Sequence, residues 1–160
     1  GELMTRGEKA EEYFKQGYNC AQAVVMAFAD VIGGDTEAYL RLASSFGGGI
    51  GRLREVCGAF SGSCMVAGLL RGFDDNNGVN KGEHYAFVQR LAARNKEVNG
   101  SIICRELLGG TIVLSNDNPS VRTTEYMKKR PCAELCRIAA DILAEESGIS
   151  DEDEIVKRVI

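Results

Sequence analysis

The sequence predicts an all-α fold, a single-domain helical bundle of five to six main helices with a glycine-rich loop before the central helix. Three observations carry this reading. Apolar residues recur at three- and four-residue spacing through most of the chain, and period-two alternation is nowhere sustained. Nineteen glycines and only two prolines place the breaks between helices at glycine. The best strand candidate, Thr111-Ile112-Val113-Leu114, is short and stands alone.

At 160 residues the chain can bury a core without staples. A net charge of −4 gives no reason to expect nucleic acid or an anionic membrane as a partner. No segment approaches the ~20 apolar residues that span a bilayer, so membrane insertion is not expected. Without a basic-then-apolar leader, the expected location is cytoplasmic. Gly1-Glu2-Leu3 reads as an expression remnant ahead of a native Met4, leaving 4–160 as a single helical cysteine-motif domain.

The first helix is expected over residues 5–16. Thr5 and Glu8 form a capping box, Ala10, Tyr13 and Phe14 face inward, and Gly17 ends it. Asn19 caps a second helix to about 32, with Cys20, Val24, Ala27, Phe28 and Val31 on one stripe. After Gly33-Gly34, Asp35 caps a third helix to about 46, with Leu40, Leu42 and Ala43 apolar. The run of Gly47, Gly48, Gly49 and Gly51 precedes the central helix, expected over about 54–70, where Val56, Phe60, Cys64 and Ala67 recur at helical spacing. Its many small residues, Gly58 and Gly62 among them, suit a helix against which other backbones pack closely.

A polar turn at 74–78 leads to a helix over 81–98, ended by Gly100. Ser101 is expected to cap a short helix carrying Cys104, Leu107 and Leu108. Residues 111–123 are the least regular, with a loop at 116–119 and a helical turn at 125–129. Pro131 opens a helix to about 147 whose buried stripe is Cys132, Leu135, Cys136, Ala139, Ile142 and Leu143, closed by Gly148. Residues 151–160 form a short terminal helix.

Six cysteines carry the chemistry: Cys20, Cys57, Cys64, Cys104, Cys132 and Cys136. With no secretion signal, a structural disulfide framework is disfavoured, leaving redox chemistry, metal ligation or simple packing of small apolar thiols. Cys20 and Cys132 fall in first helical turns, and Cys57 and Cys104 lie close to theirs. Helix starts favour a thiolate, and Arg52, Arg54, Lys128, Lys129 and Arg130 lie upstream of Cys57 and Cys132. Lowered thiol pKa values are therefore expected. Cys57 and Cys64 sit roughly 10 Å apart along one helix, too far for a disulfide. Cys132 and Cys136, one turn apart, could make only a strained bond or share a metal. Useful pairs must cross between helices. No C-x-x-C is present, which argues against a thioredoxin motif or zinc ribbon.

The segments Asn19-Cys20-Ala21-Gln22-Ala23-Val24, Phe46-Gly-Gly-Gly-Ile-Gly51, Cys57-Gly58-Ala59-x-x-Gly62, Cys104-x-x-Leu107-Leu108-Gly109 and Cys132-x-x-Leu135, in this order, resemble the C_GCAxxG_C_C family of putative redox-active proteins. The resemblance runs from about residue 10 to 145. It implies redox activity, a bacterial or archaeal source, and four signature cysteines at Cys20, Cys57, Cys104 and Cys132, with Cys64 and Cys136 as extras. The family's substrate is unassigned.

Two other signals point elsewhere and are set aside. Gly47 to Gly51 lacks the preceding strand and the Gly-Lys-Ser/Thr of a phosphate loop, so packing or partner access explains it better than nucleotide. His84, the single histidine, reads as a surface residue, with acid–base work beside a cysteine as the other use.

The leading expectation is a thiol redox protein, a thiol–disulfide oxidoreductase in class. Cys57 would be the central thiolate, one of Cys20, Cys104 or Cys132 its resolving partner, and an unknown redox protein its partner. The alternative cofactor reading makes the same four thiolates ligands of zinc or an iron–sulfur cluster. The third reading is a non-catalytic interaction module. A homodimer is a reasonable expectation for faces so rich in small residues.

Overall fold

Thr5 starts the first helix by a reciprocal cap. Its Oγ1 accepts the Glu8 amide at 3.0 Å, and the Glu8 carboxylate accepts the Thr5 amide at 3.1 Å. The computed structural model describes residues 4–109 and 131–151; among them are eight α-helices, one 3-10 turn and no strand. Six of the helices have seven residues or more. Residues 1–3, the strand candidate 111–114, the loop at 116–119, the turn at 125–129 and the terminal helix beyond 151 lie outside the described residues.

Helix α1 is Arg6–Lys15 and buries Ala10 and Phe14. Helix α2 begins at Cys20 under a second capping box, Asn19 with Gln22, and stops at Met26. The expected continuous helix to 32 is broken into α2 and a single turn, α3, Ala29–Ile32. The cause lies in α1. The Arg6 guanidinium donates to the Ala27 carbonyl at 2.8 Å, taking the acceptor that Val31 would use in an unbroken helix. The Val31 amide bonds to Phe28 instead.

Helix α4 is Thr36–Ala43, capped by Asp35, and its last turn tightens to 3-10 over Ser44–Phe46 rather than continuing as α-helix. Leu42, expected on the apolar face, is exposed, whereas Ala43 is buried. Helix α5, Gly58–Arg71, starts four residues later than expected. Arg54 holds a positive φ of 63° and Val56 forms an isolated antiparallel bridge with Ile103, neither compatible with helix. Helix α6 is longer than expected, Gly78–Asn99, because Asn77 caps it at Val79; Gly100 ends it in the left-handed region. The short α7 is Cys104–Leu108 with Ile103 at its cap position; Ser101, expected there, braces the turn by accepting the Ile103 amide at 2.9 Å. Helix α8 is Cys132–Ser147, closed by left-handed Gly148.

Helices α2, α5 and α8 form the middle of the bundle, with α1 along α8 and α6 against α5 and α8. Phe28, Val24, Val66, Phe87, Leu91, Leu143 and Cys136 are sealed in the core. Fully buried Ser63 on α5 donates toward the carbonyls of Ala59 and Ala139, the second across the α5–α8 contact. No helix among the described residues is long and apolar enough to cross a membrane.

Arg6 is 1% exposed yet fully employed. It grips Asp30 with two donors, bonds the carbonyls of Ala27 and Ser150, and stacks its charge 5.4 Å from the Phe28 ring centroid. Removing one partner of a buried pair leaves the other uncompensated. Arg6→Ala is therefore expected to lower unfolding free energy by about 3 kcal/mol, read from urea midpoints; a change within ~0.5 kcal/mol would contradict this role.

Candidate functional site

The glycine run folds into a left-handed coil. Gly48, Gly49, Ile50, Gly51 and Arg52 have φ of 67°, 69°, 68°, 54° and 68°, and Arg54 follows at 63°. Glycine takes this conformation freely, but Ile50, Arg52 and Arg54 do not, each costing of order 1–3 kcal/mol. A dense set of amide bonds holds them there: Gly51 to the Ser45 carbonyl at 2.8 Å, Arg54 to Gly48 at 3.1 Å, Glu55 to Gly49 at 3.0 Å.

Beyond the coil, residues 55–57 pair with 102–104. The Cys57 amide donates to the Ile102 carbonyl at 2.8 Å, and the Cys104 amide donates to the Glu55 carbonyl at 2.6 Å. This clamp fixes the backbones of two signature cysteines side by side. Across the coil, Gly47 abuts Asn19, and Gly49 abuts Cys104: a Cβ at Gly49 would lie 2.7 Å from the Cys104 Cβ. A Cβ at Gly58 would lie 2.5 Å from Cys20 Sγ, and one at Gly62 would lie 2.7 Å from the Ala21 carbonyl. Gly51 has no such neighbour. The glycines are therefore the surface against which Cys20 and Cys104 are pressed.

All four signature cysteines start a helix. Cys20, Cys104 and Cys132 are the first residues of α2, α7 and α8, and Cys57 is the cap residue of α5. Cys20 lies close enough to both Cys57 and Cys104 for charge on one sulfur to oppose charge on the next, and Cys57 is coupled likewise to Cys132. All six cysteines are free thiols. Cys57 and Cys20 are 8% exposed and Cys104 is 7% exposed, while Cys132 is half-buried.

The expected lowering of thiol pKa is not met at Cys57 or Cys20. Burial pushes the Cys57 thiol up to about 12, and charge at Cys20 adds to this; the Phe60 and Ala59 amides pull the other way. The Cys57 thiol makes no cap hydrogen bond of ordinary length, so that pull is weak. Burial raises Cys20 as well, against the amides of Gly48, Cys20 and Ala21. Desolvation outweighs the helix start because a thiolate loses its hydration throughout, while only two or three N–H groups face it.

Cys64 stands apart from the signature cysteines, whereas Cys136 lies against the backbone of Cys20. Burial alone raises Cys64 to about 11, and no other cysteine contributes. Cys136 is sealed in the core, its thiol directed at the Cys20 carbonyl at 3.7 Å. His84 lines an open pocket of about 310 Å³ with Arg71, Phe73, Asp74, Asp75 and Glu83; no cysteine lines that pocket. Of the upstream cations, Arg54 is 4% exposed and reaches Cys104, 3.8 Å from Nη1 to Sγ, instead of Cys57. Sequence could not have shown this, because the 55–57 pairing with 102–104 joins segments far apart in the chain. Lys128, Lys129 and Arg130 lie outside the described residues. Among the described residues no three His, Cys, Asp or Glu side chains are grouped so as to hold a metal ion.

Fold and site together define an all-α protein built around helix-start cysteines. The model of the C_GCAxxG_C_C family, described as a putative redox-active protein, matches residues 18–146, and the chain belongs to that family. No curated protein and no solved structure matches it.

The Cys57 shift has a consequence for stability. A thiol that titrates at about 12 when folded and 9.0 when exposed keeps its proton longer in the native state. Its contribution is complete below pH 9 and is lost as pH rises toward 12. Under reductant, unfolding free energy should fall above pH 9, and Cys57→Ser should lessen the fall by on the order of 1 kcal/mol per pH unit. Parallel pH profiles for the two proteins would contradict the shift.

Proposed function

We propose that the protein is a thiol redox carrier that moves two electrons by converting a pair among Cys20, Cys57, Cys104 and Cys132 between dithiol and disulfide. The single observation behind this reading is that four reduced cysteines at the starts of four helices lie within reach of one another's charge, Cys20 with Cys104 and Cys57, and Cys57 with Cys132. Structural thiols need no such grouping. Exchange with a partner's disulfide would run through a mixed disulfide and its displacement by a second cysteine.

Burial supports different roles within the set. Cys57 and Cys20, raised by desolvation, stay protonated at neutral pH and serve as resolving thiols, which react once a neighbouring sulfur has been activated by a mixed disulfide. The left-handed coil beside Cys20 and Cys104 is the proposed side of approach for a redox partner protein, since it carries the exposed side chains of Ile50 and Leu53.

Protein prepared without oxygen and treated with oxidised glutathione should lose two thiols per chain and regain them with dithiothreitol. Peptide mapping should place the pair among the four signature cysteines, leaving Cys64 and Cys136 free. Retention of all six thiols would overturn the proposal. So would one metal ion or cluster per chain with the four signature thiols masked.

A further inference from the structure

Among the described residues two arginines are buried, and their surroundings differ. Arg6, at 1% exposure, meets the Asp30 carboxylate and two carbonyls. Arg54, at 4% exposure, meets no carboxylate among the described residues; its neighbour Glu55 pairs with Arg105 instead. Among the described residues the guanidinium of Arg54 makes one side-chain hydrogen bond, Nη1 to Cys104 Sγ at 3.8 Å, and its buried Nε has no hydrogen-bond partner. An arginine cannot shed its proton in a protein, so a buried one without an anion is a heavy cost. Its backbone adds to that cost, being held left-handed by the Gly48 carbonyl on one side and the Arg105 amide on the other. So much opposed to folding, concentrated on one residue that touches one sulfur, calls for a negative charge on that sulfur.

We infer that Arg54 is a catalytic residue, the counter-ion of anionic sulfur at Cys104, which makes Cys104 the cysteine that attacks. This rests on the exchange reading above and assigns its order. The Cys104 thiolate attacks one sulfur of a partner's disulfide; the new S–S bond forms as the partner's bond breaks, and the partner's second sulfur leaves as a thiolate. Cys20, adjacent to Cys104 and still protonated, passes its proton to that leaving sulfur and attacks Cys104 Sγ. The Cys20–Cys104 disulfide forms and the partner's first sulfur departs, taking a proton from solvent. The partner is reduced by two electrons and the chain oxidised by two. Throughout, Arg54 faces the sulfur on which charge appears or disappears, where a fixed cation in a dry site acts most strongly.

Cys20, Cys57 and Cys104 are matched in exposure at 8%, 8% and 7%, so their relative reactivity reports charge more than access. With iodoacetamide at pH 7 on fully reduced protein, read by peptide mass spectrometry, Cys104 should alkylate about tenfold or more faster than Cys20 or Cys57. In Arg54→Met the Cys104 rate should drop toward theirs, while Arg54→Lys keeps most of it. Equal rates for the three cysteines in the wild type would overturn the inference, as would an unchanged Cys104 rate in folded Arg54→Met. If Arg54→Met does not fold, the wild-type ranking decides. Alkylation needs no disulfide to form, so this result stands or falls separately from thiol pairing under oxidised glutathione.

Discussion

The contact of α2 with α5 is the constraint from which the rest follows. At Gly58 a single methyl group would collide with Cys20 Sγ, and at Gly62 with the backbone of Ala21. These two glycines let the start of α2 lie directly on the start of α5, which brings the Cys20 sulfur against the Cys57 segment. The same closeness presses the glycine coil onto Asn19 and Cys104. A helix with such poor intrinsic propensity forms because the packing it permits outweighs the entropy its glycines lose. In this view the CGAxxG segment is a packing device whose product is a group of adjacent thiols.

Adjacency brings an electrostatic conflict. Burial favours neutral thiols, and each sulfur that ionises opposes ionisation of the next. Helix starts push weakly the other way. At Cys57 and Cys20 burial prevails. The Cys104 sulfur faces a buried guanidinium, held in place by a backbone that a dense set of amide bonds keeps left-handed. The set is thus graded, with Cys104 beside a cation and Cys20 and Cys57 kept protonated, and a graded set suits sequential exchange better than equivalent thiols would.

Much of this was legible in the sequence. Thr5 with Glu8, Asn19 with Gln22, and Gly100 and Gly148 mark helix ends through bonds between near neighbours, so local chemistry reveals them. The cysteines could be placed at helix starts for the same reason. What escaped was long-range. The break after Met26 is made by Arg6 reaching across from another helix. The late start of α5 follows from pairing with residues 102–104, and that pairing also carries Arg54 to Cys104. The direction of the thiol shifts was missed because desolvation depends on what covers a sulfur, which no spacing discloses.

The central claim, that the signature cysteines work as one two-electron centre, is tested most directly by a redox titration. The protein would be equilibrated anaerobically across graded ratios of reduced to oxidised dithiothreitol, and the fraction of oxidised chain read at each. The account predicts one transition following a two-electron slope of about 30 mV per decade, abolished when the participating cysteines are replaced by serine. A chain that stays fully reduced across the whole range, or whose transition persists without those cysteines, would contradict it.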